Sequence, residues 1–127
     1  MENVKQRPVW AEIDLSALEH NFDIIRSLTK SEIMPIVKAD AYGHGAVKVA
    51  KTLKARGVRR FGVALLEEAV ELKRHFPELT VMVIGPSLPE QAEDFVVHDV
   101  IPEVYSFAQA EALSQAAVRL GKRAVIH

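Results

Sequence analysis

Short apolar segments alternate with amphipathic segments along almost the whole chain, and this alternation restricts the possible folds more than any other feature. The apolar segments end near Lys38, Ala64, Ile84, Val104 and Ile126, at intervals of roughly 20–26 residues. Helical patterns occupy the intervening stretches 46–56, 66–76, 89–97 and 107–120. Buried strands that alternate with amphipathic helices indicate a parallel sheet covered by helices. The sequence therefore predicts an α/β fold.

Two architectures satisfy this pattern, an open doubly wound sheet and part of a (β/α)8 barrel. A complete barrel takes about 250 residues, whereas the chain has 127. A barrel sequence of this length would therefore be an incomplete barrel, about the first half. The alternation of apolar and polar residues over Val9–Leu15 predicts an N-terminal strand before it. The spacing of Ser16 and Glu19 predicts a capping box at the start of the first helix.

Composition excludes several classes of function. Hydrophobic residues make up 49% of the chain and charged residues 26%, which is ordinary for a globular protein. The formal charge of -1 gives no basic surface for nucleic acid or for an anionic membrane. Cysteine is absent, which excludes disulfides and thiolate chemistry. No apolar run approaches the roughly 18 residues that span a bilayer, and the N-terminus lacks a secretory pattern, so we expect a cytoplasmic protein.

The segment that carries chemistry is Val37–Gly45, which reads Val-Lys-Ala-Asp-Ala-Tyr-Gly-His-Gly. Lys38 closes an apolar strand, where a buried ammonium is costly unless it is paired. In a barrel the active-site residues lie at this end of the strands, and a partly desolvated lysine there is suited to Schiff-base chemistry. A lysine that merely extends to solvent is equally compatible with the residues alone. We interpret Tyr42 by default as a half-buried packing residue and His44 as a turn residue.

The same nine residues closely resemble the pyridoxal-phosphate attachment motif of bacterial alanine racemases. The resemblance continues in order through Trp10–Leu15, Phe61–Ala64 and Val83–Gly85. It implies that pyridoxal 5′-phosphate forms a Schiff base on Lys38, which also acts as acid and base on one face of the amino acid. It implies that the Tyr42 hydroxyl contacts the cofactor phosphate and that Ile84 is an apolar neighbour of the cofactor.

The resemblance also implies a fold, an activity and partners. Residues 1–127 would be the N-terminal part of a barrel domain that binds pyridoxal phosphate, without the later strands and without the C-terminal β-domain. The whole protein would be a homodimer that interconverts L-alanine and D-alanine and supplies D-alanine for peptidoglycan. The second proton-transfer group in this family is a tyrosine of the partner subunit, in a region that nothing in this sequence matches.

Three alternatives stay open at this point. In the first, the chain by itself is a non-catalytic folded unit that self-associates through unpaired sheet edges. In the second, the whole protein is a racemase of another amino acid, such as serine. A doubly wound nucleotide-binding or flavin-binding domain is the third alternative, although its Gly-x-Gly-x-x-Gly turn is absent from the sequence.

Overall fold

A three-stranded parallel sheet forms the centre of the protein, in a computed structural model that describes residues 9–127. The strands are β1 (Arg60–Val63), β2 (Thr80–Val83) and β3 (Ile101–Pro102), in that spatial order. Both strand pairs are parallel. Strand order therefore follows chain order without the reversal that defines a doubly wound sheet. This is the arrangement expected for consecutive units of a barrel.

Six helical segments and one 3₁₀ turn accompany the sheet within residues 9–127. The helical segments are α1 (Leu15–Leu28), α2 (Lys38–Tyr42), α3 (Ala46–Ala55), α4 (Leu66–His75), α5 (Ala92–His98) and α6 (Phe107–Leu120). The predicted helices at 46–56, 66–76 and 107–120 are confirmed to within one residue. The predicted helix at 89–97 is divided into a 3₁₀ turn at Pro89–Gln91 followed by α5. No helix within residues 9–127 is both long and apolar enough to cross a bilayer.

The sheet is extended at both sides by segments that pair only briefly. On the β1 side, Val37 N donates to Gly62 O at 2.8 Å and Gly62 N donates to Pro35 O at 2.9 Å. On the β3 side, Val104 N donates to His127 O at 2.8 Å and His127 N donates to Pro102 O at 3.0 Å. The runs 33–38 and 123–127, predicted as strands, therefore lie beside the sheet but do not form regular strands.

The predicted N-terminal strand over Val9–Leu15 is wrong. Residues 9–14 form no strand, and Leu15 already begins α1. Val9 and Trp10 are 81% and 76% exposed, so the alternating pattern has no apolar surface to cover on either face. Alternation predicts a strand only where a neighbouring strand accepts its hydrogen bonds.

The predicted capping box of Ser16 and Glu19 is also wrong, because the cap lies two residues earlier. The Asp14 carboxylate accepts hydrogen bonds from Ser16 N at 2.9 Å and from Ala17 N at 3.1 Å. The Ser16 hydroxyl donates to the same oxygen, and these bonds hold the pKa of Asp14 below its ordinary value of 3.8. A carboxylate satisfies the free amides at a helix start at least as well as a hydroxyl does, so Asp14 displaces Ser16 from the cap.

The hydrophobic core lies between the helices and one face of the sheet. Phe61, Val63, Val81 and Val83 project from β1 and β2 into this core and are at most 2% exposed. The opposite face carries Gly62 and Met82. An open concavity of about 610 Å³ on this side is lined by apolar side chains, among them Met82 and Ile101, together with the polar and charged residues Glu32, Arg60, Thr80, Asp99 and His127. The protein therefore has one complete helix–sheet layer, whose concave side corresponds to a barrel interior.

Candidate active site

Lys38 lies at the carboxyl end of the extended segment that pairs with β1. The residue before it, Val37, is 2% exposed and donates its backbone N–H to Gly62 O. Lys38 itself is partly buried and is the first residue of α2. Lys38 therefore lies between the buried backbone of the sheet and the protein surface, at the carboxyl edge where barrel enzymes have their active sites.

The turn that begins at Lys38 is left-handed. Ala39, Asp40, Ala41 and Tyr42 have φ between 50° and 56°, and the first three have ψ between 46° and 50°. Each L-residue in this conformation costs roughly 1–2 kcal/mol, so four of them store roughly 4–8 kcal/mol of strain. Non-glycine residues with positive φ occur singly in most proteins, and strain of this size persists only where the surroundings enforce it.

Asp40 holds the far end of this turn. Its carboxylate accepts from Ala46 N at 2.6 Å at the start of α3, and its backbone oxygen accepts from Gly45 N at 2.9 Å. Gly43 and Gly45 have φ of 84° and 89°, a conformation that glycine adopts without steric cost before the helix. Asp40 therefore connects the left-handed turn to the right-handed helix that follows.

His44 completes the turn through its ring. His44 Nδ1 lies 2.9 Å from Ala41 O, and His44 N donates to the same oxygen at 3.1 Å. These contacts hold one ring nitrogen of His44 within the turn, which agrees with the interpretation of His44 as a turn residue.

Glu68 holds the near end of the turn, and sequence reasoning did not identify it. Its Oε1 accepts from Ala39 N at 2.6 Å, and its Oε2 accepts from Ala64 N at 2.9 Å and from Leu65 N at 3.1 Å. The sequence signal was present, because Glu68 is the third residue of α4, where a glutamate turns back to the helix start. Its reach to a second loop is visible only in three dimensions.

A buried amide joins the next two loops along the same edge. Gln109 of α6 is 3% exposed. Its Nε2 donates to Glu103 O at 3.0 Å and to the Ser87 hydroxyl, and its Oε1 accepts from Tyr105 N at 2.9 Å. Glu68 therefore connects the left-handed turn to the loop after β1, and Gln109 connects the loop after β2 to the loop after β3.

Tyr42 and Ile84 lie at the same edge as Lys38. Tyr42 ends α2 and is 60% exposed, so its default interpretation as a half-buried packing residue is wrong. Ile84 follows β2, is partly buried and donates its backbone N–H to Val63 O at 2.8 Å. The fold brings the three predicted site residues to one edge, with an amine, a phenol and an apolar side chain available there.

Gly62 leaves room for close packing beneath this edge. A Cβ atom built on Gly62 would lie 2.5 Å from Ile36 Cδ1 and 3.8 Å from Ile84 Cγ2. Met34 Cε would lie 3.5 Å from the same atom. Ile36, Met34 and Ile84 therefore surround the space above the Gly62 backbone, which a larger residue would fill.

Comparison with known proteins places the chain in a family. Residues 13–127 match the family model described as alanine racemase, N-terminal domain. The alanine racemase of Carboxydothermus hydrogenoformans is 39% identical over 122 residues, which are 95% of this chain and 33% of that protein. The chain thus spans about a third of the length of the curated relatives it matches.

Solved structures agree in fold. An alanine racemase of Clostridium difficile 630 superposes with a TM-score of 0.88 at 36% identity, over 97% of this chain and 33% of that one. An alanine racemase of Bartonella henselae with covalently bound pyridoxal phosphate gives a TM-score of 0.80 at 28% identity, over 90% and 32%. The predicted fold class, an incomplete α/β barrel, is confirmed. With the lysine turn at the sheet edge and a matching model over residues 13–127, the chain belongs to the alanine racemase N-terminal domain family.

Proposed function

We propose that this chain is part of a pyridoxal 5′-phosphate-dependent alanine racemase, in which Lys38 holds the cofactor. The observation that carries the proposal is the position of Lys38, partly buried at the carboxyl edge of the sheet and at the start of a strained turn. Strain of this kind accumulates at functional sites, where it fixes a side chain that an ordinary turn would leave free.

The side chains at this edge fit the cofactor by their chemistry. The Lys38 amine is the group that forms a Schiff base with an aldehyde. The Tyr42 phenol, which is 60% exposed, is free to donate to a phosphate oxygen, and Ile84 offers an apolar contact for an aromatic ring. When bound, the cofactor supplies an electron sink that stabilises the carbanion formed by loss of the Cα proton.

Lys38 then acts as a proton carrier on one face of the bound amino acid. Racemisation needs a second proton-transfer group on the opposite face, within hydrogen-bond reach of the same carbon. We propose that this group comes from the partner subunit of a homodimer and that residues 1–127 alone are inactive. The whole protein would act in the cytoplasm on L-alanine and D-alanine and supply D-alanine for peptidoglycan.

Cofactor attachment is tested directly on the chain. The chain is incubated with pyridoxal 5′-phosphate, reduced with borohydride and analysed by intact mass and peptide mapping. We expect one adduct, on the peptide that contains Lys38. Lys48→Ala, which removes an exposed lysine of α3, is the matched control and should retain the adduct, whereas Lys38→Ala should lose it. Equal labelling of many lysines, unchanged in Lys38→Ala, would contradict the proposal.

Activity is tested on a protein of the relatives' full length that contains this chain. We expect it to convert L-alanine into the racemic mixture, as followed by chiral chromatography, and we expect Lys38→Ala to abolish the conversion. The 127-residue chain should show no conversion under the same conditions. Racemisation by the isolated chain, lost in Lys38→Ala, would overturn the proposal that it needs a second group from elsewhere.

A further inference from the structure

We propose that Glu68 is a positioning residue for Lys38. Its carboxylate fixes the peptide group that follows Lys38 and thereby sets the direction in which the lysine side chain leaves the sheet. The chemical use of that lysine rests on the proposed function above, whereas the positioning itself is a property of the backbone and is tested separately.

The two carboxylate oxygens of Glu68 accept hydrogen bonds from different parts of the chain. Oε2 accepts from Ala64 N and Leu65 N, which lie at the start of the helix that carries Glu68. Oε1 accepts from Ala39 N at 2.6 Å, 29 residues away in the neighbouring βα unit. A capping box needs only the bonds to its own helix start. The bond to Ala39 is therefore additional to the cap, and it joins two loops at the candidate site.

The position of the accepted proton explains why this bond affects Lys38. Ala39 N–H belongs to the peptide group whose carbonyl is that of Lys38. A peptide group is planar, so holding its N–H restricts ψ of Lys38 and φ of Ala39 together. These two angles decide whether the chain turns left-handed at this point. The peptide group before Lys38 is held through Val37 O, which accepts from Ala41 N at 2.9 Å. With the peptide group after Lys38 held by Glu68, the Cα–Cβ direction of the lysine is restricted from both sides.

The left-handed turn has two external attachments. Asp40 connects its far end to the first amide of α3, and Glu68 connects its near end to α4. Across residues 9–127, Glu68 is the one side chain from another βα unit that bonds a backbone amide of α2. Because the turn is strained, we expect the end next to the lysine to relax when this attachment is removed.

Glu68→Gln separates positioning from capping. A glutamine has one accepting oxygen, which satisfies the helix start as well as glutamate does, and its amide group would then face Ala39 N–H as a second donor. Glu67→Gln is the matched control, because Glu67 lies on the exposed side of the same helical turn. Asp14→Ala is the control for stability, because among residues 9–127 the Asp14 carboxylate bonds only within the start of α1 and makes no hydrogen bond to α2. Glu68→Ala removes both the bonds to the start of α4 and the bond to Ala39.

The first measurement is amide hydrogen exchange of the 127-residue chain, followed by nuclear magnetic resonance. A hydrogen bond to a charged group contributes enough for its loss to speed exchange by about tenfold or more. We expect this acceleration at Ala39 in Glu68→Gln and Glu68→Ala, and no change there in Glu67→Gln or Asp14→Ala. An unchanged Ala39 amide in both Glu68 variants would overturn the proposal, whatever their overall stability.

The second measurement is the rate at which pyridoxal 5′-phosphate is trapped on Lys38 by borohydride, read by peptide mass. We expect Glu68→Gln to trap about tenfold more slowly than wild type and Glu67→Gln to match wild type. Equal rates in wild type and Glu68→Gln would overturn the link between Glu68 and the amine. If wild type itself fails to trap the aldehyde on Lys38, the proposed function fails, while the exchange of Ala39 still decides the positioning.

Discussion

The left-handed turn predicts that the same substitution will have opposite effects at two exposed alanines. Ala39 lies in the turn with φ of 50°, and Ala55 is the last residue of the right-handed helix α3. Both side chains are exposed, so replacing either with glycine removes little packing. Glycine keeps the backbone N–H at both sites, including the one that Ala39 donates to Glu68, so the expected difference comes from the handedness of the backbone.

The expected magnitudes follow from that difference. Glycine at position 39 removes roughly 1–2 kcal/mol of left-handed strain. It also gives the unfolded chain more freedom, which costs about 0.4–1 kcal/mol. Ala39→Gly should therefore raise the free energy of unfolding by about 0.5–1 kcal/mol. Ala55→Gly gains no relief from strain and should lower it by roughly 0.5–1 kcal/mol.

Urea unfolding followed by far-ultraviolet circular dichroism measures both variants. The two should differ by about 1–2 kcal/mol at equal denaturant slope. Ala41→Gly provides an internal check, because its methyl group is only 6% exposed and the lost packing should reduce the gain. If Ala39→Gly is destabilised as much as Ala55→Gly, the backbone at residue 39 is not left-handed in solution and the strain argument fails.

Four further predictions concern the rest of the protein. Gly62→Ala should destabilise the fold by about 1–3 kcal/mol in urea unfolding. Adding Ile36→Val, which removes the methyl group that the new Cβ meets, should recover most of the lost stability. No recovery would exclude that contact as the cause. Leu72→Ala should cost about 2–5 kcal/mol, because this side chain is 1% exposed in the core, and a loss below 1 kcal/mol in the same assay would contradict the packing described. Asp14→Ala should lower the urea midpoint at neutral pH, because the pKa of Asp14 is depressed in the folded state. The loss of stability relative to wild type should be full above the ordinary pKa of the carboxyl group and should shrink as the pH falls through the depressed value. A loss of stability that does not change with pH would refute the cap. The isolated chain should self-associate through its open sheet edges, as measured by light scattering across a concentration series, and a monomer at every concentration would contradict this.

Periodicity predicted the parts of the fold that depend on burial. The helical pattern over 107–120 predicted both ends of α6 correctly, and Gly121 closes this helix with φ of 62°. The buried strands around Phe61 and Val81 were equally clear from their apolar runs. Because burial imposes the period of the secondary structure on the sequence, these elements can be predicted without a structure.

The parts that failed depend on partners rather than on burial. The alternation over Val9–Leu15 had no neighbouring strand to satisfy, and a carboxylate at position 14 favoured a helix start instead. The handedness of the turn after Lys38 was also not predictable from composition, because Ala39 and Ala41 ordinarily favour right-handed helix. Contacts from Asp40 and Glu68 hold the turn left-handed, and only the folded chain brings Glu68 to it.

The Gln109 amide holds the loops after β2 and β3 together in one orientation and without charge, whereas Glu68 holds its two loops through a carboxylate. Its nitrogen can only donate and its oxygen can only accept, so rotating the group by half a turn would set N–H against the N–H of Tyr105. One orientation is therefore permitted, and it carries no net charge for ions to screen. The spacing between the last two loops should accordingly be the same in dilute buffer and in concentrated salt.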